Sequence, residues 1–452
     1  MKKLLLINPV EKNRPKLHIY FQPLGLGIVG ALTPNSWDVR LIDENFEELE
    51  ILDVDLVAMT AFTPFVKRAY EIAAIYRQKN IPVVLGGFHA SLLPEEALNF
   101  VDTVVIGSAE GAWEQLIIDF ENNNLKRTYK GTNSFIAKPR RDLFSKNYPL
   151  ASIETLRGCL NNCEFCSVST VYEHQSVLKP VDLVISEFKE ISHKHVFIVD
   201  DNMFGNRDSD RIRAISLYKE LINNKINKNW WGYASVNSIA KEDELLYWAV
   251  KSGCYMFFLG FEADTVTGLK ELNKRFNMEK EIVNYKSVID KLHKYRISIF
   301  GGFIYGMDTD TPLALNERTR QIMNSNIDLP SISVLMPYPG TKIYKRFKDD
   351  NRITKTTYPD DWIYYDYRGI TFTPKNMTQK ELSEIMANSY KKLYNLRSIF
   401  LRAIRTLMIT CNIKTALLLM SDNLMYRDIH INVIEPAYRK LLKKYSKLIL
   451  KR

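Results

Sequence analysis

The ten residues Arg157-Gly-Cys-Leu-Asn-Asn-Cys-Glu-Phe-Cys166 bring three cysteines together with the spacing C-x3-C-x2-C. The first cysteine comes two residues after a predicted strand, residues 153–157. Thiolates are soft ligands that suit iron–sulfur clusters and zinc. The 452-residue chain has five cysteines, too few for a disulfide scaffold, so this clustering predicts a metal site in a reducing compartment.

Two kinds of metal site compete for this motif. In a cluster of four irons, three cysteines leave one iron without a protein ligand, and that position can chelate the amino and carboxylate groups of S-adenosylmethionine (SAM). Reductive cleavage of the sulfonium would give a radical that abstracts hydrogen from carbon. A structural zinc ion needs a fourth ligand. Cys254 and Cys411 are distant in sequence and nothing in the spacing requires His174, so the iron–sulfur cluster is favoured.

The first 120 residues alternate apolar strand segments with helical segments. This alternation predicts an open α/β domain with a parallel sheet covered by helices, whose ligands bind beyond the carboxyl ends of the strands. Four of those ends carry residues 8–9, 60–63, 86–89 and 107–110. The predicted strands are 4–9, 39–43, 56–61, 83–87 and 103–107, and the predicted helices are 25–32, 65–78 and 112–120.

A second alternating series predicts a partial (β/α)6 barrel, because its strands recur at the spacing of βα units. The candidate strands are 153–157, 196–200, 232–236, 256–261, 299–304 and 332–336. Beyond residue 355 the pattern becomes mostly helical, and Thr378 with Glu381 predicts a capping box. We therefore expect four parts: an open-sheet domain (1–125), a linker (126–150), the partial barrel (151–350) and a basic helical C-terminal domain (351–452).

With the cysteine motif, several further segments resemble the radical SAM superfamily, in the group with an N-terminal cobalamin-binding domain. The resemblance is nearest to the branch that modifies hopanoids. The matching segments include residues 199–206, 252–262, 272–274, 301–308 and 336–341, and Phe165 occupies the aromatic position before the third cysteine. The resemblance implies three cofactors: a 4Fe–4S cluster on Cys159, Cys163 and Cys166, SAM, and cobalamin.

Polar residues and glycines near the ends of the barrel strands are the candidates for SAM binding. Carboxylates there could bind the SAM ammonium or the ribose hydroxyls, and glycines would let the backbone approach the adenine or methionine moiety. Helix caps and turns are the alternative roles. The candidates are Phe165, Asp200, Asp201, Ser235, Glu262, Gly301 and Gly302.

The segment Leu85-Gly-Gly-Phe-His-Ala90 resembles the loop that supports the cobalamin nucleotide tail in related enzymes. The sequence lacks the Asp-x-His-x-x-Gly motif and therefore the axial histidine that this motif supplies. A degenerate domain kept for structure is the alternative to cobalamin binding. The candidate cobalamin residues are Thr60, Thr63, Gly86, Gly87, Ser108 and Glu110.

The net charge of +10 lies in residues 361–452, which contain 17 Lys and Arg but 7 Asp and Glu. Such a part can meet an anionic membrane surface or an acidic substrate, or can be a solvated surface. No nucleic-acid motif is recognisable, so we expect no nucleic-acid partner. Residues 398–410 mix apolar side chains with Arg402 and Arg405. This helix could rest on a membrane surface, but packing on the barrel is the preferred interpretation.

No apolar stretch is long enough to span a bilayer, and the N-terminal apolar run is too short for a signal peptide. We expect a cytoplasmic protein that can contact the membrane peripherally. The resemblance implies a small-molecule substrate, with a lipid or isoprenoid favoured, and an electron donor such as flavodoxin or ferredoxin.

The leading functional prediction is cobalamin-dependent methylation of an unactivated carbon. The resemblance implies that one SAM yields the radical, cobalamin supplies the methyl group, and a second SAM restores it. The same architecture also supports cyclisation, rearrangement or carbon–carbon bond formation without methyl transfer. A non-catalytic zinc- or cobalamin-binding regulator is the alternative of a different class.

Overall fold

A computed structural model of the chain describes residues 1–11, 21–241, 243–278, 284–367 and 369–431. Its first sheet has six strands: β1 (Lys2–Asn8), β2 (Trp37–Asp43), β3 (Leu56–Thr60), β4 (Val83–Gly86), β5 (Thr103–Ile106) and β6 (Thr128–Lys130). All pairs are parallel, in the order β2-β1-β3-β4-β5-β6. Five of these strands lie within two residues of their predicted positions, and β6 was not predicted.

Helices cover both faces of this sheet, which explains why its strands are apolar on both sides. In β1 the four consecutive residues Leu4, Leu5, Leu6 and Ile7 are all buried, and they divide between two separate apolar cores. The helices are α1 (Leu24–Leu32), α2 (Val66–Gln78), α3 (Phe88–Leu92), α4 (Pro94–Ala97) and α5 (Trp113–Glu121).

The segment 126–150 is more than the linker that the sequence predicts, because it supplies β6. Tyr129, the middle residue of this short edge strand, is buried, and its hydroxyl donates to Asp119 Oδ2 over 2.9 Å. One buried ring therefore fixes a segment whose overall composition is polar.

The second sheet is the predicted partial barrel, and it lies among nine helices of the described chain. Its six strands are β7 (Ala151–Ile153), β10 (His195–Ile198), β11 (Asn229–Ala234), β12 (Cys254–Glu262), β13 (Ser298–Tyr305) and β14 (Leu329–Val334). Two further strands, β8 (Leu156–Gly158) and β9 (Ser176–Leu178), form a separate two-stranded ribbon. The helices are α6 (Ser167–Val171), α7 (Val181–Glu190), α8 (Asp208–Asn223), α9 (Val236–Lys241), α10 (Asp243–Lys251), α11 (Val266–Glu271), α12 (Tyr285–Lys294), α13 (Pro312–Asn324) and α14 (Lys342–Asp349).

Six of these strands are parallel, in the order β14-β13-β12-β11-β10-β7. The single strand predicted at 153–157 is instead split in two: β7 stays in the barrel, whereas β8 pairs antiparallel with β9. The chain turns between them because the Asp200 carboxylate accepts bonds from the Thr155 N–H and hydroxyl, both over 2.6 Å.

Three long helices follow: α15 (Gln379–Leu393), α16 (Leu396–Thr410) and α17 (Ile413–Ile431). The predicted capping box of Thr378 and Glu381 begins α15. Leu382, Leu419 and other apolar residues of these helices share one continuous core with the barrel. None of the helices in the described part of the chain has both the length and the apolarity that a membrane crossing requires.

Candidate active site

The three cysteines lie on the loop that joins β8 to α6, with Cys166 as the residue before the helix. The loop is anchored from two sides. On one side, the Leu160 N–H donates to Asn206 Oδ1 over 3.3 Å. On the other, Asn273 Nδ2 donates to the Asn162 carbonyl over 2.7 Å. Bonds that come from separate barrel segments therefore set the position of the cysteine loop.

The three thiols face one another closely enough to influence each other's ionisation. Burial raises the pKa of Cys159 to about 11, with the Cys166 thiol adding to the rise and the nearby Lys274 ammonium opposing it. Burial likewise raises the pKa of Cys163 to about 12. Three mutually close thiols on one anchored loop fit the donor set of a four-iron cluster. Among the described residues, no group of three or more His, Cys, Asp or Glu side chains is arranged to hold a single metal ion.

Two of the predicted carboxylates, Asp201 and Glu262, lie beside these thiols. Asp201 accepts a bond from the Gly158 N–H over 2.8 Å, and burial raises its pKa to about 7. Glu262 ends β12, where a break in the register with β13 and a left-handed φ of 67° turn the chain. Its Oε1 lies 2.6 Å from Lys274 Nζ, in an ion pair with little solvent exposure.

Four other residues that the sequence predicts to bind SAM contact other groups of the protein. Asp200 is fully buried and bound to Thr155, as described above. The Ser235 hydroxyl lies 2.7 Å from the Ser238 hydroxyl in the first turn of α9. A Cβ at Gly301 would lie 2.9 Å from an Ile327 methyl, and one at Gly302 would lie 2.7 Å from the Phe258 ring. Side chains of the barrel thus occupy the space beside both glycines, and an approach of SAM to them stays a prediction.

Phe165 is partly buried and packs against the barrel core next to Cys166. Sequence reasoning gave no role to two residues that the structure brings to the thiols. Lys274 lies in the matching segment 272–274, and that match was the usable signal. Tyr367 ends the aromatic run 362–367, and burial, with Cys166 and Glu262 nearby, raises the pKa of its hydroxyl.

The carboxyl edge of the first sheet forms a glycine-lined shelf. Gly87 has a φ of 90°, and a Cβ there would lie 2.4 Å from the Thr60 hydroxyl, so no larger residue fits. The Thr63 hydroxyl lies 3.2 Å from His89 Nδ1, and the Ser108 hydroxyl donates to Asn133 Oδ1 over 2.7 Å. All six predicted cobalamin residues line the open space on this shelf: Thr60, Thr63, Gly86, Gly87, Ser108 and Glu110.

Glu110 also has contacts that set it apart from the other predicted cobalamin residues. It is fully buried, its Oε2 accepts from Arg157 Nη1 over 2.8 Å, and its Oε1 accepts from the Ala137 N–H over 3.0 Å. Both carboxylate oxygens are therefore bonded to protein groups, and the residue links the first sheet to β8.

One cavity of about 1700 Å³ connects the shelf with the barrel interior. Its wall includes Thr60 and Gly86 from the first sheet, and Asp201, Ser167 and Tyr367 from around the thiols. Pockets for one small ligand are typically ~300–1,000 Å³. The cavity therefore has room for more than one ligand at once.

Known proteins with similar sequences or folds combine the same two kinds of domain. Residues 16–117 match the family described as the B12 binding domain. The chain is 29% identical over 413 residues to a bacteriochlorophyllide d C-12(1)-methyltransferase of Chlorobaculum tepidum, a match that covers 87% of each protein. It is 27% identical over 355 residues to a hopanoid C-2 methylase of Rhodopseudomonas palustris, covering 74% of this chain and 66% of that protein.

The fold is also that of a solved structure, the radical SAM methyltransferase TsrM of Kitasatospora setae with cobalamin and a 4Fe–4S cluster bound. The TM-score is 0.67 at 15% identity, over 87% of this chain and 89% of that one. The chain thus contains a match to the B12 binding domain, and over most of its length it is similar to a bacteriochlorophyllide methyltransferase in sequence and to a radical SAM methyltransferase in fold. These similarities confirm the family resemblance and the fold class that the sequence predicts.

Proposed function

We propose that this chain cleaves SAM reductively and methylates an unactivated carbon of a small molecule, with cobalamin as the second cofactor. The observation that carries the proposal is the shared cavity. Residues beside the three thiols, such as Asp201, border the same open space as Thr60 and Gly86 on the glycine-lined shelf. Two cofactors and a substrate can therefore meet without crossing bulk solvent.

The cluster, when bound, supplies the electron that cleaves SAM, and cobalamin carries the methyl group. Cys159, Cys163 and Cys166 would hold three irons and leave the fourth open. The Glu262–Lys274 pair would position the methionine end of SAM beside the open iron, with Glu262 accepting from its amino group and Lys274 donating to its carboxylate. Asp201 would accept from the ribose hydroxyls or the ammonium.

Aromatic side chains line the barrel part of the cavity, among them Trp231, Tyr233 and Phe258. These apolar walls would exclude water from the reacting carbon. The same walls would keep hydrogen-atom donors such as free thiols away from a carbon radical, which such donors would quench before methyl transfer.

Anaerobic reconstitution of the full-length protein tests the proposal. We expect about four irons per chain and, with a reductant, release of 5′-deoxyadenosine from SAM. With methyl-labelled SAM and a small-molecule extract of cells that naturally make the protein, label should enter a product. A cluster that never cleaves SAM would contradict the enzyme assignment. Cleavage with an unlabelled product would contradict methyl transfer and support cyclisation, rearrangement or carbon–carbon coupling.

We also propose a peripheral membrane contact through α16. One face of this helix packs inward as expected, with Ile399 and Arg402 buried and Arg402 Nε donating to Asn423 Oδ1 over 3.0 Å. The outer face is mostly apolar along the helix and the start of the next, although Arg397 and Lys414 are also exposed. Its exposed apolar residues are Leu396, Phe400, Leu401, Ile404, Leu407, Met408, Ile413 and Leu417. Such a surface on a basic part of the chain suits an anionic bilayer and a lipid or isoprenoid substrate.

Co-sedimentation with vesicles that contain anionic lipid tests this contact. The double variant Phe400→Ser, Met408→Ser should lose binding, whereas Ile212→Ser, Leu313→Ser, which removes equally exposed apolar side chains elsewhere, should keep it. Equal binding by both variants, or no binding by the unaltered protein, would contradict the proposal.

For the electron source we propose a small one-electron carrier of the flavodoxin or ferredoxin class, in the cytoplasm. All five cysteines are free thiols, which suits a reducing compartment. Flavodoxin with its reductase should support 5′-deoxyadenosine release, and failure where dithionite succeeds would contradict this donor.

A further inference from the structure

Helix α17 turns one face to the cavity instead of to the core. The lining positions recur every three or four residues, which is the spacing of a single helix face. They include Leu418, Asp422, Met425, Tyr426 and Ile429. Asp422 is the only carboxylate among these positions, and apolar or aromatic side chains lie one turn before and after it.

The wall that faces α17 is aromatic. The rings of Tyr233 and Phe258 are 5.0 Å apart between centroids, and those of Phe258 and Phe300 are 4.8 Å apart. Phe300 in turn lies 5.8 Å from Tyr426 of α17, one helical turn from Asp422. The carboxylate and the aromatic wall therefore belong to one compartment.

Asp422 has a carboxylate that no described residue pairs with. None of the described residues donates a hydrogen bond to it or forms an ion pair with it, and the tyrosines 255, 394 and 426 lie close enough for Asp422 to raise their pKa. Burial raises its pKa to about 7. A bound cation would favour the ionised form of this partly buried, partnerless carboxylate.

We propose that this compartment is the substrate site and that Asp422 pairs with a protonated nitrogen on an otherwise apolar, ring-containing substrate. The aromatic wall suits both ends of such a molecule, because ring faces attract cations and also pack against apolar rings. The inference rests on the proposed function, which places a substrate in this cavity. It names the chemical class of that substrate and the residue that selects it.

Binding measurements test the site without radical chemistry. The probes are naphthylmethylamine, which is cationic, and naphthalenemethanol, its neutral isostere. They are titrated by calorimetry into the full-length protein loaded with cluster and cobalamin, without reductant. We expect the unaltered protein to prefer the amine by about tenfold or more, and Asp422→Asn to lose that preference. Met425→Ala, in the same compartment, should weaken both probes similarly.

Thermal unfolding distinguishes a recognition role from a structural one. Because Asp422 has no described partner, Asp422→Asn should leave the melting temperature unchanged or raise it, and a clearly lowered one would overturn the proposal. Equal affinity of the unaltered protein for both probes, or binding of neither, would also overturn it. SAM cleavage by the unaltered protein is measured separately, so a failure of the substrate site is not confused with a failure of the enzyme assignment.

Discussion

Cys163 is the middle cysteine of the anchored loop, where burial raises the pKa of its thiol to about 12. Cys163→Ser should remove one iron ligand and abolish SAM cleavage, because a buried hydroxyl does not replace a thiolate on iron. Iron content and visible absorbance after anaerobic reconstitution measure the loss. Cys411→Ser, at an exposed thiol far along the chain, should keep the full iron content. Equal iron in both variants would contradict the assignment of the cluster to this loop.

His195 begins β10 with 7% of its surface exposed and its ring edge-on to Tyr255. Burial, helped by the neighbouring Lys194, lowers its pKa from 6.5 to about 4. Between these values the unfolded chain binds a proton that the folded chain does not, so the stability is present above about pH 6.5 and is lost as the pH falls towards about 4.

Replacing His195 by Leu should therefore reduce the stability lost between about pH 7 and pH 5, by on the order of 1–2 kcal/mol. Urea unfolding at the two pH values measures the difference. The control is His174→Asn at an exposed histidine with a φ of 56°, a backbone conformation that Asn tolerates. An unchanged pH dependence in the His195 variant would contradict the neutral, buried state.

At this scale the sequence could predict that the three cysteines, Asp201 and Glu262 lie near one another, since each follows or ends a strand whose position was itself predictable; their binding roles stay predictions. It could not predict the role of Gly301 or Gly302. Whether a glycine makes room for a ligand or for a side chain depends on what fills the space, and here the fillers, Ile327 and Phe258, come from other segments.

Helix α15 shows how much of an element local sequence can determine. Thr378 Oγ1 accepts from the Glu381 N–H over 3.1 Å, and Glu381 Oε2 accepts from the Thr378 N–H over 2.8 Å. Thr378→Ala should cost about 1 kcal/mol of folding free energy, the usual value of a lost N-cap. Chemical denaturation measures the loss, and Lys380→Ala in the same turn is the control with little expected change. Equal stability of the two variants would contradict the cap.

Elements that depend on distant partners were less predictable. The strand at β6 forms because Tyr129 reaches a buried position beside Asp119, and β7 separates from β8 because Asp200 binds the intervening Thr155. Neither partner is adjacent in sequence, so the apolar pattern alone predicts a linker in the first case and one unbroken strand in the second.

At the scale of the whole molecule, the ion pair between Arg157 and Glu110 joins the first sheet to β8, the strand next to the barrel. In Glu110→Ala, Glu154 is the one carboxylate among the described residues that still forms an ion pair with the buried Arg157. We therefore expect a loss of about 3 kcal/mol in folding free energy. Calorimetry should show the two sheets unfolding less cooperatively. Glu114→Ala, which removes a nearby bond to the Gly111 N–H, should cost less than about 1 kcal/mol. A Glu110 variant as stable as the Glu114 variant would show that the pair does not couple the sheets.

The position of α17 has an evolutionary consequence. This 19-residue helix is close to the end of the described chain, and one of its faces forms part of the cavity wall. The cysteine loop and the glycine-lined shelf come from segments far earlier in the sequence. Exchanging a few residues on that face would alter which molecules are accepted while the radical-generating machinery stayed intact. Descendants of one ancestral catalyst could diversify by this route, each inheriting the same chemistry and acquiring a new target.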